Sequence, residues 1–488
     1  MTAPTSLAGT VPPVRLAVVL VGVVACLAAA AGIGVRATYG AQTTADEPHY
    51  LLTAISLAED GDLDVSDELA DERYRPFHEA GLPVQERVLA DGRQLAPHDP
   101  LLPVLLAVPW AVGGWVGAKA ALALLAGVLA ALTTWTAVRR FAVPPRTAAL
   151  VVAGLSLAWP LSGYGTQVYP ELPAALATVA TVAVARAPGP PRTRRVLGLV
   201  LLVSSLPWLA VKYVPVAAAL GGVLAWRWWR DGHRRALVAT GTLLAVAGLA
   251  YLGLHHAWYG GWTVYAAADH FVGRGEFAVV GFAPDLPGRA RRLVGLLVDR
   301  DFGLAAWQPL WLLAVPALAV WVRRRPAGWA WVAVPLAAGW LNATFVALTM
   351  QGWWLPGRQV VVVLPLAGIA LAWWLGRAAR AWSVAALALG AVGVVGYAWL
   401  VVDGLRERLT WVVDFASVGD PTYAVRRAVM PDYLQVSPAT WSWQGLWLAL
   451  LAALAWLAVR GDRAEDVHGV DGPSASPRPA RRSSAVGG

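Results

Sequence analysis

Residues 16–52 read LAVVLVGVVACLAAAAGIGVRATYGAQTTADEPHYLL. About twenty apolar residues are followed at once by Asp46, Glu47 and His49, set around Pro48. A helix of roughly 20 mostly apolar residues crosses the ~30 Å of hydrocarbon in a bilayer. Such runs recur along all 488 residues. Charged residues make up 14% and the mean hydropathy is +0.55. The composition predicts an all-α polytopic membrane protein rather than a string of soluble domains. The first run follows only one basic residue, Arg15, and is longer than a signal-peptide core, so it reads as a retained span.

The net charge of +9 does not point to nucleic acid. The basic residues fall in short clusters between apolar runs, among them VRRFAVPPR, PPRTRR, RWWRDGHRR and RRRP. These are topology signals of the positive-inside kind, whereas a nucleic-acid partner needs a continuous basic face. Placing the clusters in the cytoplasm gives twelve spans, near 16–36, 115–138, 147–163, 170–186, 196–211, 214–230, 236–254, 302–322, 327–349, 358–376, 381–402 and 443–460. Both termini then lie inside, in a plasma-membrane protein whose transmembrane domain covers 1–460. Residues 100–113, PLLPVLLAVPWAVG, are short and proline-rich and read as a re-entrant or interfacial segment. The external loops are 37–99, 255–301 and 403–442, and 461–488 reads as a disordered cytoplasmic tail. Many of the 27 tryptophans fall near predicted span ends, as an interfacial belt does.

This topology collects chemically versatile groups on the external side: Asp46, Glu47, His49, His98, Asp99, Tyr169, Glu171, Lys212, Tyr213, Arg300 and Arg358. Pro48 favours a helix start, with Asp46 and Glu47 at its N-terminal end. HYLLTAISLAEDGDL behind it has the spacing of an amphipathic helix on the bilayer surface. By spacing alone these two acids serve equally as catalytic groups or as plain helix-start acids. Only two lysines accompany 37 arginines. Lys212, in PWLAVKYVPV, sits beside hydrocarbon, where it either anchors the interface or meets an anionic lipid phosphate. Arg358, in WWLPGRQVVVVLP, carries the same two readings, and Glu171 suits a helix cap. His255 and His256 are adjacent and point apart on a helix, which serves a shared metal poorly. A divalent ion held with carboxylates remains open. The single cysteine, Cys26, excludes an internal disulfide and a multi-cysteine zinc site.

TTADEPHYLLTAISLAEDGDLDV followed by HDPLLPVLLAVPWAVGG resembles the GT-C superfamily of membrane glycosyltransferases, and most nearly bacterial proteins of the dolichyl-phosphate-mannose-protein mannosyltransferase-like type. VYPELPAAL, LPWLAVKYVP, DRDFGLAAWQPLWLL and GWWLPGRQVVVVLPL continue the likeness in order, over about residues 16–400. It implies a sugar, mannose or arabinose-like, carried on a polyprenyl phosphate and moved with inversion to a glycan, lipid or protein hydroxyl outside the cell. In its terms Asp46 is the base, with Glu47 positioning acceptor or metal. Lys212 and Arg358 hold the donor phosphate, and His49, His98, Asp99, Tyr169, Glu171, Tyr213 and Arg300 are available to substrate. No cofactor is required, because the leaving group is already a phosphate. HDPLLP lacks a glycine, and WWLPGRQ lacks the glycine-rich approach typical of the resemblance, which bears on the acceptor pocket. The rival readings are a flippase or a ligase-polymerase of lipid-linked saccharides. The first calls for polar groups at the bilayer midplane, whereas the spans here are nearly free of charge.

Overall fold

The computed structural model describes residues 11–269, 285–347, 349–350, 356–412 and 415–470. Among them run nineteen α-helices. The first stretch holds α1 (Val11–Ala30), α2 (Glu47–Glu59), α3 (Ser66–Ala70), α4 (Leu101–Phe141), α5 (Pro145–Ser156) and α6 (Leu161–Tyr164). Next come α7 (Glu171–Ala185), α8 (Thr193–Leu209), α9 (Val214–Arg230) and α10 (Arg234–Tyr259). Then follow α11 (Leu286–Ala290), α12 (Arg292–Val298), α13 (Leu304–Trp307), α14 (Ala314–Arg324) and α15 (Ala330–Phe345). The chain closes with α16 (Leu364–Leu375), α17 (Arg380–Leu405), α18 (Pro421–Val429) and α19 (Pro438–Val470).

A helix or a helical tract lies on each of the twelve expected spans, but their lengths differ. By length and composition, four described stretches can cross a bilayer alone: Leu101–Phe141, Arg234–Ala267, Arg380–Leu405 and Pro438–Asp462. α16 has only 12 residues, about 18 Å of helix. All of them are buried by other helices, so it is an apolar plug at the centre of the bundle. α19 continues to Val470, past residue 461 where a tail was expected, and 471–488 lie outside the described residues.

The segment 100–113 is helical and continuous in sequence with the next span. The helix breaks at Gly113 (φ −145°) and Gly114 (φ 58°, ψ −149°), and the second of these is a conformation only glycine adopts without strain. Val104, Leu105, Val108 and Val112 of this arm are exposed, as in a lipid-facing surface. α2 departs from the expectation of a surface-lying helix. Every residue from Glu47 to Ser56 is buried, and α2 packs on α4. Its apolar face finds protein, so the bilayer is not needed to cover it. Several tryptophans leave the belt as well: Trp311, Trp321 and Trp331 are core residues.

Chain direction alternates, and this sorts the charges. Arg139 and Arg140 end α4, Arg186 follows α7, Arg227 and Arg230 end α9, and Arg323 and Arg324 end α14. Arg146, Arg194 and Arg195, Arg234 and Arg235, and Arg380 begin the antiparallel neighbours. The opposite end of the bundle receives the starts of α2, α7, α9 and α16.

Candidate functional site

At that opposite end four charged groups form one chain. Asp46 Oδ2 accepts from Arg358 Nη2 at 2.7 Å, and Arg358 Nε donates to Glu171 Oε1 at 3.0 Å. Lys212 Nζ donates to the same Glu171 oxygen at 2.6 Å. The Arg358 guanidinium also lies over the Tyr169 ring, 3.9 Å from its centroid, a contact that suits a planar, weakly hydrated cation. Glu171 is fully buried and Arg358 is 6% exposed, while Lys212 is 16% and Asp46 23% exposed. Asp46 and Lys212 are therefore the members a substrate can reach.

Each member is placed by its own local structure. Asp46 is the residue before α2, and Pro48 stands in the first turn, as expected. Ala45 just ahead of it holds φ 50°, a left-handed conformation that costs a non-glycine residue about 1–2 kcal/mol. Gly357 takes φ 83°, and a Cβ there would press on Leu304 and Pro160 at 3.0–3.1 Å. Glycine is thus required to turn Arg358 inward. Lys212 rides on a short 3₁₀ turn, Val211–Tyr213. Asp99 pins that turn, accepting the Val211 N–H at 2.8 Å and the Tyr251 hydroxyl at 2.8 Å, with His255 Nε2 at 3.1 Å. The Asn342 amide donates to the Lys212 carbonyl at 3.0 Å. Asp99 and His255 thus hold the turn in place, and His255 faces Asp99 while His256 meets Trp262.

Glu47 has a different setting from its neighbour. It is fully buried, and its carboxylate accepts the backbone N–H groups of Thr44 (2.8 Å) and Val168 (2.7 Å). Burial pushes its carboxyl up, against the pull of Lys119 and those two N–H groups. Lys119, itself buried, donates to the Gln42 carbonyl at 2.6 Å. Glu47, expected to position acceptor or metal, is thus engaged with the protein's own backbone at Thr44 and Val168. His49 is also internal, paired with Glu86 at 2.6 Å. His98 stacks on Tyr50 with centroids 4.4 Å apart, and burial lowers its imidazole to about 4. Tyr169 donates to the Thr44 carbonyl at 3.1 Å.

The electrostatics follow from these contacts. Burial alone would raise the Asp46 carboxyl, but Arg358 overrides it and holds the group well below the ordinary carboxylate range. Burial draws the Lys212 ammonium down while Glu171 opposes the shift. Glu171 Oε2 and the Tyr213 hydroxyl are buried with no hydrogen-bond partner among the described residues, so both are free to meet a polar group. Gln85 reaches the other Asp46 oxygen at 3.5 Å. Gln85, Glu86 and Asn342 escaped sequence reasoning because neutral amides and loop acids carry no periodic signal. Arg300 stands apart. It pairs with Asp432 at 2.6 Å and lines a separate groove of about 520 Å³ with Phe415, Arg427 and Trp443.

No protein-family model and no curated protein matches the chain. Among solved structures, ArnT from Cupriavidus metallidurans in the apo state superposes with a TM-score of 0.51 at 16% identity, over 92% of this chain and 72% of that one. ArnT from the same organism bound to undecaprenyl phosphate gives a TM-score of 0.44 at 15% identity, over 95% and 80%. The chain has a GT-C-like fold. At this identity the likeness concerns architecture, and the all-helical GT-C-like expectation is borne out at that level.

Proposed function

We propose that this protein is an inverting glycosyltransferase that moves a sugar from a polyprenyl-phosphate carrier to an acceptor hydroxyl on the extracytoplasmic side. The observation that carries the reading is the alternating chain Asp46–Arg358–Glu171–Lys212, with its carboxylate and its ammonium ends both open to a ligand. In the reaction the acceptor oxygen attacks the anomeric carbon from the face opposite the phosphate. The C–O bond to phosphate breaks, its electron pair stays on the phosphate oxygen, and the acceptor proton passes to Asp46.

The two cations stabilise the second negative charge that develops on the phosphate as the bond breaks. In the free protein they are already balanced by two carboxylates, so donor binding must redistribute the pairs. A carboxylate held strongly acidic by arginine is a poor base. When the donor phosphate draws on Arg358, the pull on Asp46 weakens and its basicity rises. Glu171 then keeps Arg358 and Lys212 together. This chemistry requires no metal, since the leaving group is already a phosphate monoester. The sequence resemblance supports the donor class and the external side, and the arginine-rich opposite end supports a cytoplasmic placement for both termini.

The test uses purified protein with radiolabelled polyprenyl-phospho-mannose or polyprenyl-phospho-arabinose and membrane acceptors. Transfer from one donor, lost in Asp46→Asn, is the expected result. Absence of transfer from both donors, or undiminished transfer by Asp46→Asn, overturns the reading. So does a reporter fusion that places residues 37–99 in the cytoplasm.

A further inference from the structure

The first loop holds a second acidic group, at the end of α2 away from Asp46. The sequence there reads AEDGDLDVSDEL over residues 58–69. Two of its acids are consumed by the loop itself. Asp62 Oδ1 accepts the Ser56 hydroxyl and the Asp64 N–H, each at 2.9 Å. Asp64 Oδ1 accepts the Ser66 N–H at 3.2 Å and the Gln94 N–H at 2.9 Å. A third, Glu59, pairs with Arg73, and the remaining three, Asp60, Asp67 and Glu68, bring one carboxylate oxygen each to within 4.8 Å of one another.

Glu68 sets this cluster apart from an ordinary acidic surface. It is 2% exposed, and its Oε2 is buried with no hydrogen-bond partner among the described residues. The cation in the neighbourhood, Arg73, is bonded to Glu59 at 2.7 Å. None of the three carboxylates has an ion pair among the described residues. Ionising a buried carboxyl whose oxygen has no donor is costly, and two further carboxylates beside it add repulsion. A cation removes both penalties at once.

We propose that Asp60, Asp67 and Glu68 bind one divalent cation of the calcium class, tying the end of α2 to α3. Donors that are all carboxylate oxygens select hard ions over zinc or copper. Calcium accepts irregular oxygen shells at about 2.3–2.6 Å, so opposite ligands stand roughly 4.6–5.2 Å apart, which spans this cluster. Asp60 follows the last turn of α2, where the carbonyl end of the helix also favours positive charge. The ion would fasten the far end of the helix whose near end carries Asp46, as a structural clamp separate from the Asp46–Arg358 pair. It is independent of the transferase reading.

The experiment uses the full chain in detergent, stripped with EDTA, then measured for ⁴⁵Ca²⁺ binding and for thermal unfolding with CaCl₂ or MgCl₂. One calcium per chain is expected, with a rise in Tm of at least ~2 °C over EDTA. Glu68→Gln should lose both effects, and in EDTA it should be as stable as the wild type or more so, because the repulsion is gone. Should that variant fold poorly, Asp60→Asn with Asp67→Asn, both at exposed positions, gives the same readout. Asp46→Asn should bind calcium normally. No bound calcium, binding that survives these substitutions, binding lost in Asp46→Asn, or an equal Tm rise with MgCl₂ each overturns the assignment.

Discussion

Two arginine settings, one at each end of this bundle, differ in kind. At one end guanidinium groups tie helix termini together through backbone carbonyls. Arg140 donates to the Ala183 carbonyl at 2.9 Å, Arg186 to the Arg140 carbonyl at 2.7 Å, and Arg227 to the Ala185 carbonyl at 3.0 Å. These cations sit where the helix dipoles and free carbonyls attract them, and many share the work. At the other end a single arginine, Arg358, is enclosed with two carboxylates and an aromatic ring. The difference teaches that redundancy marks architecture, while an enclosed charge with partners from several elements marks a site.

The sharpest way to break the comparison is Asp46→Asn. It keeps shape and hydrogen bonding, so the protein should fold, while label transfer falls about 10²–10⁴-fold as expected for loss of a general base. Equal loss from Arg140→Ala would erase the distinction between the ends.

Arg358→Gln tests enclosure. It leaves Asp46 and Glu171 without their shared cation, and breaking such a buried pair costs about 3–5 kcal/mol. Denaturant unfolding and donor binding should both suffer. Arg358→Lys should recover the stability in part but not the bridge from one guanidinium to both carboxylates.

His98 gives a pH test. Its folded value of about 4 lies below the ordinary 6.5, so the unfolded chain binds the extra proton between those values. Its contribution to stability is complete above pH 6.5 and is lost progressively as the pH falls toward 4. His98→Phe keeps the stacking on Tyr50 and should flatten this part of the stability profile. Asp46, held below the ordinary carboxylate value of 3.8, contributes stability above that pH and loses it only under more acidic conditions.

The smallest effects are expected from two conservative changes, one at each end. Arg140→Ala removes one bond to a carbonyl and should lower stability by about 1 kcal/mol, with transfer unchanged. Ala45→Gly relieves a left-handed backbone and should leave unfolding stability within about 1 kcal/mol of the wild type. It should also loosen Asp46, raising KM or lowering kcat modestly in the label-transfer assay.

The sequence alone determined the class of the molecule and the sorting of its charges. Apolar run length and the position of arginine clusters are one-dimensional properties, and the bilayer reads them directly. It also placed Asp46 at a helix start, because Pro48 acts locally. The partners of Asp46 could not be read that way. Arg358 lies 312 residues from Asp46 and 187 from Glu171, and Lys212 lies 41 from Glu171. No periodicity encodes pairings at such separations. Nor could adjacency separate Asp46 from Glu47. Consecutive helical residues point about 100° apart, so packing turned one carboxylate to the open site and the other to the backbone N–H groups of Thr44 and Val168. Only the closed bundle decided which acid stays partly exposed beside Arg358 and which is enclosed against the backbone.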